Sequence, residues 1–176
     1  MTRYWAMRTD TRHNTDWLWR ELQAGRLRQG WGYRPDQDLY GIGRIRAAGG
    51  RLNDHQKITW RGNRRLLPTE RDAVRRGDLI VLPHVPKYGY WTIVRVVGTY
   101  RYSIDDGRNE GGKPDFGHIL PVEIVSDPIP WRDAAIPDRF KRAMRNQQRM
   151  WNLDDLGRDI EMLAREFGKS RDGGES

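Results

Sequence analysis

The sequence predicts an α+β fold: a small, strongly curved β-sheet or barrel with flanking helices and a C-terminal helical extension. Four or more short apolar segments, bounded by Gly, Pro, Asn or Asp, are typical of strands. A segment with helical spacing follows the first of them, and two more close the chain. At 176 residues, one domain with a helical appendage is the simplest expectation.

The first part of the chain predicts a strand, a helix and a glycine-containing segment. Tyr4–Met7 is a short aromatic run typical of a buried strand. A helix over residues 16–24 follows, with Asn14 among its candidate N-caps. Residues 26–34 carry Gly30-Trp31-Gly32, where two glycines permit backbone and ring to approach a partner closely.

The middle of the chain has a mixed pattern. Residues 36–48 predict a helix despite two glycines, and residues 53–60 fit either a helix or a strand. Residues 68–76 predict a short helix or turn. The continuously apolar residues 79–82 that follow predict a central, buried strand.

The remaining elements are two strands around a loop and two helices. Residues 90–102 are the longest strand signal, and residues 116–125 are a second strand with a proline in it. The polar, glycine-rich residues 105–115 predict a loop between them. Helices are expected over residues 137–151 and 154–167, the latter amphipathic.

The charge distribution divides the chain into two parts. Residues 1–126 hold 22 Lys and Arg against 14 Asp and Glu, whereas residues 127–176 hold 10 against 10. We therefore expect a basic domain over residues 1–126 and a neutral helical extension over residues 127–176 that packs on it. The net charge of +8 belongs to the first part.

Composition argues against several classes of protein. The absence of cysteine excludes disulfides, thiolate metal sites and a thiol nucleophile. Neither a signal-peptide apolar region nor a run of about 18 apolar residues is present. We expect a cytoplasmic protein without a membrane partner and without a cofactor.

Aromatic and arginine residues are unusually interleaved. Eight tryptophans are present, several beside arginine, as in Trp60-Arg61. Flat rings next to guanidinium groups are suited to stacking a base and holding its phosphate. Core aromatics beside a solvated surface would give the same pattern for any single tryptophan, and for Trp5 and Trp17 the core interpretation is the stronger one.

The sequence favours a binding protein over an enzyme. The four histidines lack metal-ligand spacing, and neither a nucleophile elbow nor a phosphate-binding Gly-rich loop is present. A small nuclease or toxin using His84, His118 and an aspartate is the alternative from the enzyme class.

Recognition of an unstacked base needs aromatic faces, polar groups for the base edge and cations for phosphates. The rings predicted to form a base cage are Trp31, Tyr33, Trp60, Tyr90 and Trp91. The side chains predicted to contact the base edge are Asn14, Asp16 and Asp115. The residues predicted to bind phosphate are Arg8, Arg12, Arg28, Arg34, Arg61, Arg64, Arg65 and Lys87.

Three segments together resemble the PUA-like superfamily, nearest to its EVE and YTH branches. They are the opening Arg3-Tyr4-Trp5-Ala6-Met7, the turn and strand over residues 77–84, and the valine-rich strand over residues 90–97. The resemblance covers roughly residues 3–126 in the order of elements. Residues 35–67 and the C-terminal helices depart from the EVE pattern.

The resemblance implies a curved barrel of five or six strands with a pocket that reads modified bases in DNA or RNA. Bacterial relatives of this kind serve as specificity modules of modification-dependent restriction systems. By position, Trp31 and the Tyr90-Trp91 strand start correspond to the walls of the cage.

We therefore expect a non-catalytic domain that flips a modified, methylated base of DNA into an aromatic cage. An RNA-binding domain acting in RNA modification or translation control is the alternative with the same fold. A third alternative is a protein-interaction module whose final helices, over residues 139–167, dock a partner subunit that carries a nuclease or NTPase.

Overall fold

A curled, half-barrel sheet of eight strands forms the centre of the structure, a computed structural model that describes residues 1–9, 13–105, 112 and 115–168. The strands are β1 (Tyr4–Met7), β2 (Arg26–Gln29), β3 (Leu79–Pro83), β4 (Tyr90–Val96), β5 (Arg101–Tyr102), β6 (His118–Ile124), β7 (Ile129–Pro130) and β8 (Met150–Asn152). Their order is β2-β6-β4-β3-β1-β8, with β5 paired to β6 and β7 paired to β4.

The described residues also form five α-helices, so the α+β class predicted from the sequence is confirmed. They are α1 (Thr15–Gln23), α2 (Leu39–Ala47), α3 (Asp54–Asn63), α4 (Asp138–Ala143) and α5 (Gly157–Glu166). None of them combines the length and the apolar character that crossing a membrane requires.

The parallel pair β1 and β3 lies in the middle of the sheet and orients it. Tyr4 is in register with Leu79, and Ala6 with Val81, so both strands run toward the same rim. All five residues of β3 are buried, as the apolar pattern of residues 79–82 predicts. The rim at the carboxyl ends of β1 and β3 carries the candidate site described below.

Alternation along the central strands builds a core on each face of the sheet. Trp5 and Met7 of β1 pack with Trp60 of α3, whereas Ala6 packs with Phe140 of α4. Helices α1 to α3 cover the first face, and α4 and α5 cover the second, because successive side chains of a strand point to opposite faces.

Helix α3 resolves the ambiguity of residues 53–60. The Asn53 side chain accepts a hydrogen bond from Gln56 N at 2.9 Å, and the Gln56 side chain accepts one from Asn53 N at 3.0 Å. This capping box satisfies two backbone donors at the helix start, which favours a helix over a strand. Residues 36–48 are divided between a single 3-10 turn, Pro35–Gln37, and α2.

Two predicted elements differ from the structure. The strand expected over residues 90–102 ends at Val96, and a Cβ on Gly98 would lie 2.9 Å from Pro121 Cβ, so the chain passes closely over β6 there. The helix expected over residues 137–151 ends at Ala143. Strand β8 then pairs with β1 and satisfies the backbone groups of that edge.

The C-terminal part of the chain is consequently built into the sheet. Strand β7 pairs with the start of β4, and β8 pairs with β1. Residues 127–168 thus supply strands as well as the helices that were expected to pack against the first domain.

Candidate functional site

A cleft of about 760 Å³ opens at the rim where β1 and β2 end and β8 begins. We call it the Trp31 cleft. Five arginines and one aspartate line it, together with apolar and amide side chains. Its charged lining residues are Arg8, Arg61, Arg64, Arg65, Arg149 and Asp115.

Trp31 lies in the wall of the cleft with its indole 41% exposed. Its φ angle of 65° lies in the left-handed region, which is unusual for a bulky residue. Its backbone N–H donates to Asp115 Oδ1 at 2.9 Å, and its carbonyl accepts from Thr59 Oγ1 at 3.1 Å. The surrounding structure therefore holds this conformation from both sides of the residue.

His118 supplies a second donor to the Trp31 carbonyl, at 3.0 Å from Nε2. Its imidazole is fully buried, and burial lowers its pKa to about 4, so it is neutral near pH 7. The carbonyl can only accept, so the proton is on Nε2, and Nδ1 accepts from the Tyr100 hydroxyl at 2.9 Å.

Glycine is required where the Trp31 turn meets residues 115–118. A Cβ on Gly32 would lie 2.8 Å from His118 Cδ2, and a Cβ on Gly117 would overlap the Gly32 carbonyl. The close approach expected at Gly30-Trp31-Gly32 is therefore found at Gly32, where the backbone meets residues 117–118 of the same chain and not a bound partner.

Arg149 lies beside the exposed indole, with Cζ 5.6 Å from the Trp31 ring centroid. Its Nη1 donates to Asn63 Oδ1 at 3.2 Å, and no carboxylate of the described residues pairs with it. Burial lowers the pKa of this guanidinium, which nevertheless stays charged near pH 7. A Cβ on Gly62 would overlap Arg149 Nη1, so Gly62 makes room for this side chain.

The other arginines of the cleft differ in how they are paired. Arg61 is exposed and makes no ion pair within the part of the chain that the structure describes. Arg64 pairs with Asp72 at 2.6 Å, and Arg65 pairs with the same carboxylate at 3.1 Å. Hydrogen bonds from Arg64 are the main cause that lowers the pKa of Asp72 to about 2.

Arg8 contacts main-chain carbonyls. Its Nε donates to Asn146 O at 2.9 Å and its Nη2 to Met144 O at 3.0 Å. These bonds orient the side chain at the end of β1 without neutralising its charge.

Only one of the five rings predicted for the cage lines the cleft. Trp91 is 3% exposed in the core under α4, and Trp60 is 9% exposed in the opposite core, so their burial is incompatible with the predicted role. Tyr33 lies apart from the cleft lining and hydrogen-bonds His55 Nδ1 at 3.0 Å. Tyr90 lines a separate groove. The aromatic cage expected from the sequence is therefore not formed by these residues.

The residues predicted to contact the base edge are also dispersed. Asp115 lines the cleft, and its Oδ1 accepts the backbone N–H groups of Trp31, Gly32 and Phe116. Asn14 is 6% exposed at the start of α1, and Asp16 is exposed on that helix; neither lines the cleft.

Four of the predicted phosphate ligands lie in the cleft, namely Arg8, Arg61, Arg64 and Arg65. Arg28 is 2% exposed and pairs with Glu21 at 2.8 Å beneath Trp17, so its burial rules out the predicted contact. Arg34 pairs with Asp36 at 2.9 Å outside the cleft, and Lys87 lies over the Tyr90 ring. Arg12 lies outside the described residues.

The two histidines of the nuclease alternative have different surroundings. His118 is buried behind Trp31, whereas the His84 ring stacks on Tyr88. No group of three or more metal-ligating side chains is found among the described residues.

Arg149 is the residue of the cleft that the sequence analysis missed. It falls in the stretch with balanced charge that was expected to be a helical extension. The local pattern Arg149-Met150-Trp151 repeats the spacing of Arg3-Tyr4-Trp5 in β1, but the ring beside Arg149 is Trp31, so no local signal identifies it.

Comparison with known proteins places the chain in no family. No protein-family model matches the chain, and no curated protein matches it. A crystal structure of protein Atu2648 from Agrobacterium tumefaciens aligns with a TM-score of 0.39 and 12% sequence identity, covering 92% of each chain.

Proposed function

We propose that this protein binds nucleic acid at the Trp31 cleft, with one unstacked base on the Trp31 indole and the adjoining phosphates on Arg61 and Arg149. The observation that carries the proposal is an exposed indole in a fixed backbone conformation, 5.6 Å from an arginine that no carboxylate of the described residues pairs with. Stacking on an aromatic ring contributes about 1 to 3 kcal/mol for each base.

The electrostatics of the cleft favour an anionic ligand. Arg149 is partly buried and makes no ion pair within the described ranges, although the charge of Asp115 partly offsets the effect of burial on its pKa. Burial of a charge without an ion-pair partner is unfavourable. A phosphate would supply the missing counter-charge, and Arg61 beside it faces solvent. The planar fork of a guanidinium matches a phosphate in two parallel hydrogen bonds.

Asp115 provides a basis for reading the base edge. All its hydrogen bonds are made by Oδ1, which leaves Oδ2 without a donor among the described residues. A carboxylate oxygen accepts from an exocyclic amino group but repels a carbonyl oxygen. The proposal therefore favours adenine, cytosine or guanine over thymine or uracil on the Trp31 ring.

The finer part of the proposal is a PUA-like domain that reads a modified base flipped from duplex DNA, as the specificity module of a restriction or defence system. The curled sheet and the position of Trp31 support it. Ile58 lines the cleft, is partly exposed and offers an apolar contact for a methyl group. Burial of one methyl contributes about 0.8 kcal/mol, or roughly four-fold in affinity.

The test compares Trp31→Ala with Tyr40→Ala, which removes another exposed ring that lines none of the described clefts. Binding of fluorescent single-stranded and duplex oligonucleotides, methylated and unmethylated, is followed by anisotropy. We expect Trp31→Ala to weaken binding by about 5- to 150-fold. Tyr40→Ala should leave it unchanged. Equal affinities for wild type and Trp31→Ala would overturn the proposal.

A second variant tests the role of Arg149 without removing its side chain. Gly62→Ala lies within α3, where alanine is favoured over glycine by roughly 1 kcal/mol, but its Cβ displaces Arg149. We expect weaker binding with an unchanged or higher melting temperature. RNA oligonucleotides in the same assay decide between the DNA and RNA forms of the proposal.

A further inference from the structure

A second exposed ring, Tyr88, lies on the loop between β3 and β4, residues 84–89, which we call the Tyr88 loop. Tyr88 is 76% exposed. One face of its ring is covered by the His84 imidazole, at 4.6 Å between centroids and 9° between planes. The other face is therefore open to solvent.

Hydrogen bonds hold the loop in this shape. His84 Nδ1 accepts from Gly89 N at 3.2 Å, and His84 N donates to Tyr90 O at 2.7 Å. Thr92 Oγ1 donates to Val85 O at 2.7 Å. His84 itself has a φ angle of 63°, a left-handed conformation that its neighbours maintain. The exposed ring is thus presented by an ordered support.

Cations without carboxylate partners surround the Tyr88 loop. Lys87 Nζ lies 5.0 Å from the Tyr90 ring centroid, and Arg132 Cζ lies 5.3 Å from that of Trp131. Neither makes an ion pair within the described ranges. Tyr88, Tyr90, Trp131 and Arg132 line a shallow groove of about 360 Å³.

The Tyr88 loop and the Trp31 cleft share one rim of the sheet. Arg8 follows β1 and His84 follows β3, and these strands are parallel neighbours, so their ends lie roughly 5 Å apart. Burial lowers the pKa of His84, and the charge of Arg8 lowers it further, as expected for close groups. Arg8 also lines the Trp31 cleft, so it lies between the two features.

We infer that the Tyr88 loop is a second stacking site, which holds another base of the same strand on the open face of Tyr88 while Lys87 and Arg132 contact its phosphates. Arg8 contacts the strand between the two bases. The inference rests on the proposed function. Surfaces that bind single-stranded nucleic acid commonly combine aromatic rings with neighbouring cations.

The experiment compares a trinucleotide with a dodecanucleotide of deoxyadenosine, because we expect only the longer oligonucleotide to occupy both sites at once. Variants Tyr88→Ala, Trp31→Ala and Tyr40→Ala are titrated with each, and circular dichroism checks their folding. We expect Tyr88→Ala to weaken binding of the dodecanucleotide about ten-fold and to leave the trinucleotide unchanged. Tyr88→Trp should restore binding.

The outcomes separate the inference from the proposed function. If Trp31→Ala weakens binding of both oligonucleotides and Tyr88→Ala weakens binding of neither, the second site is overturned and the proposed function stands. Equal losses of affinity for the two oligonucleotides in Tyr88→Ala would also overturn the inference, since the loop would then affect binding through the Trp31 cleft. If Trp31→Ala changes neither strand, the proposed function fails.

Discussion

The two rims of the sheet use the same residue types in opposite ways. At the rim where β1 and β3 begin, the Arg3 guanidinium lies 4.5 Å from the Trp5 ring and pairs with Asp154 at 3.4 Å. The Trp5 indole N–H donates to Asp78 Oδ2 at 3.0 Å, and the ring is buried. At the other rim, Trp31 is 41% exposed, and Arg149 forms no ion pair within the part of the chain that the structure describes.

The difference shows that an arginine beside a tryptophan is not in itself a binding feature. Carboxylates satisfy both groups at the Trp5 rim, so that pair stabilises the fold. Backbone contacts hold Trp31 and leave its ring and the adjacent cations available to a ligand. The proposed function at the Trp31 rim therefore depends as much on Arg149 making no ion pair among the described residues as on the ring, because the nearby Asp115 carboxylate binds backbone N–H groups instead.

The largest expected effect comes from removing the unpaired cations. Arg61→Gln with Arg149→Gln should lower affinity for single strands by roughly 10- to 100-fold, because two phosphate contacts are lost. The slope of log affinity against log salt should become shallower by about 1.4. Titrations at several salt concentrations measure both quantities.

Arg3→Gln with Arg95→Gln is the matched control for net charge. Both arginines lie at the Trp5 rim in ion pairs, Arg3 with Asp154 at 3.4 Å and Arg95 with Glu123 at 3.1 Å. Affinity should change little in this variant. Equal losses of affinity in the two double variants would mean that only the net charge of the protein affects binding. The two rims would then not differ in function.

His118 makes the stability of the Trp31 rim depend on pH. Its pKa is lowered from 6.5 to about 4 in the folded state, so the unfolded state takes up a proton first as pH falls. Its contribution is complete above pH 6.5 and decreases toward pH 4, by up to about 1.4 kcal/mol for each pH unit. His118→Gln keeps a donor for the Trp31 carbonyl but cannot titrate in this range.

The measurement is the free energy of urea unfolding at a series of pH values in this interval. As pH falls, we expect the free energy of unfolding to decrease more steeply for the wild type than for His118→Gln. The difference in slope should correspond to the uptake of up to one additional proton on unfolding. Parallel curves would show that His118 is not buried in its neutral form and would weaken the account of how Trp31 is held.

The smallest effect comes from releasing two arginines from the carboxylate that they share, although Arg64 keeps its ion pair with Glu70 at 3.2 Å. Asp72→Asn removes the carboxylate shared by Arg64 and Arg65, so affinity should rise by about two- to five-fold. The free energy of unfolding should fall by no more than about 1 kcal/mol because the pairs are partly exposed. Asp154→Asn, which releases Arg3 at the other rim, is the control and should not tighten binding.

Much of the fold was accessible from local patterns. β1 has the predicted bounds, Tyr4–Met7, and β3 is the central buried strand expected from its apolar run. β8 was missed because a three-residue edge strand is defined by its partner β1 at the other end of the chain, and no local period reveals that pairing.

The site was predicted only in part, for a geometric reason. Trp60 and Arg61 are adjacent in sequence, but consecutive helical residues do not face each other, and the cation over Trp60 is Arg46 at 4.8 Å. Trp31 similarly meets Arg149, which is distant in sequence. Asp115, Arg61 and Trp31 were singled out from residue type and flanking glycines, whereas their common cleft required the tertiary structure.

The pairing of β8 with β1 has a consequence for synthesis of the protein. Arg149 immediately precedes β8, and Gln147, Gln148 and Met150 belong to the same wall. During translation this wall emerges from the ribosome only after nearly every other part of the sheet. A nascent chain that stalls before that point would lack the Arg149 guanidinium, so premature fragments should not compete with the finished protein for the proposed ligand.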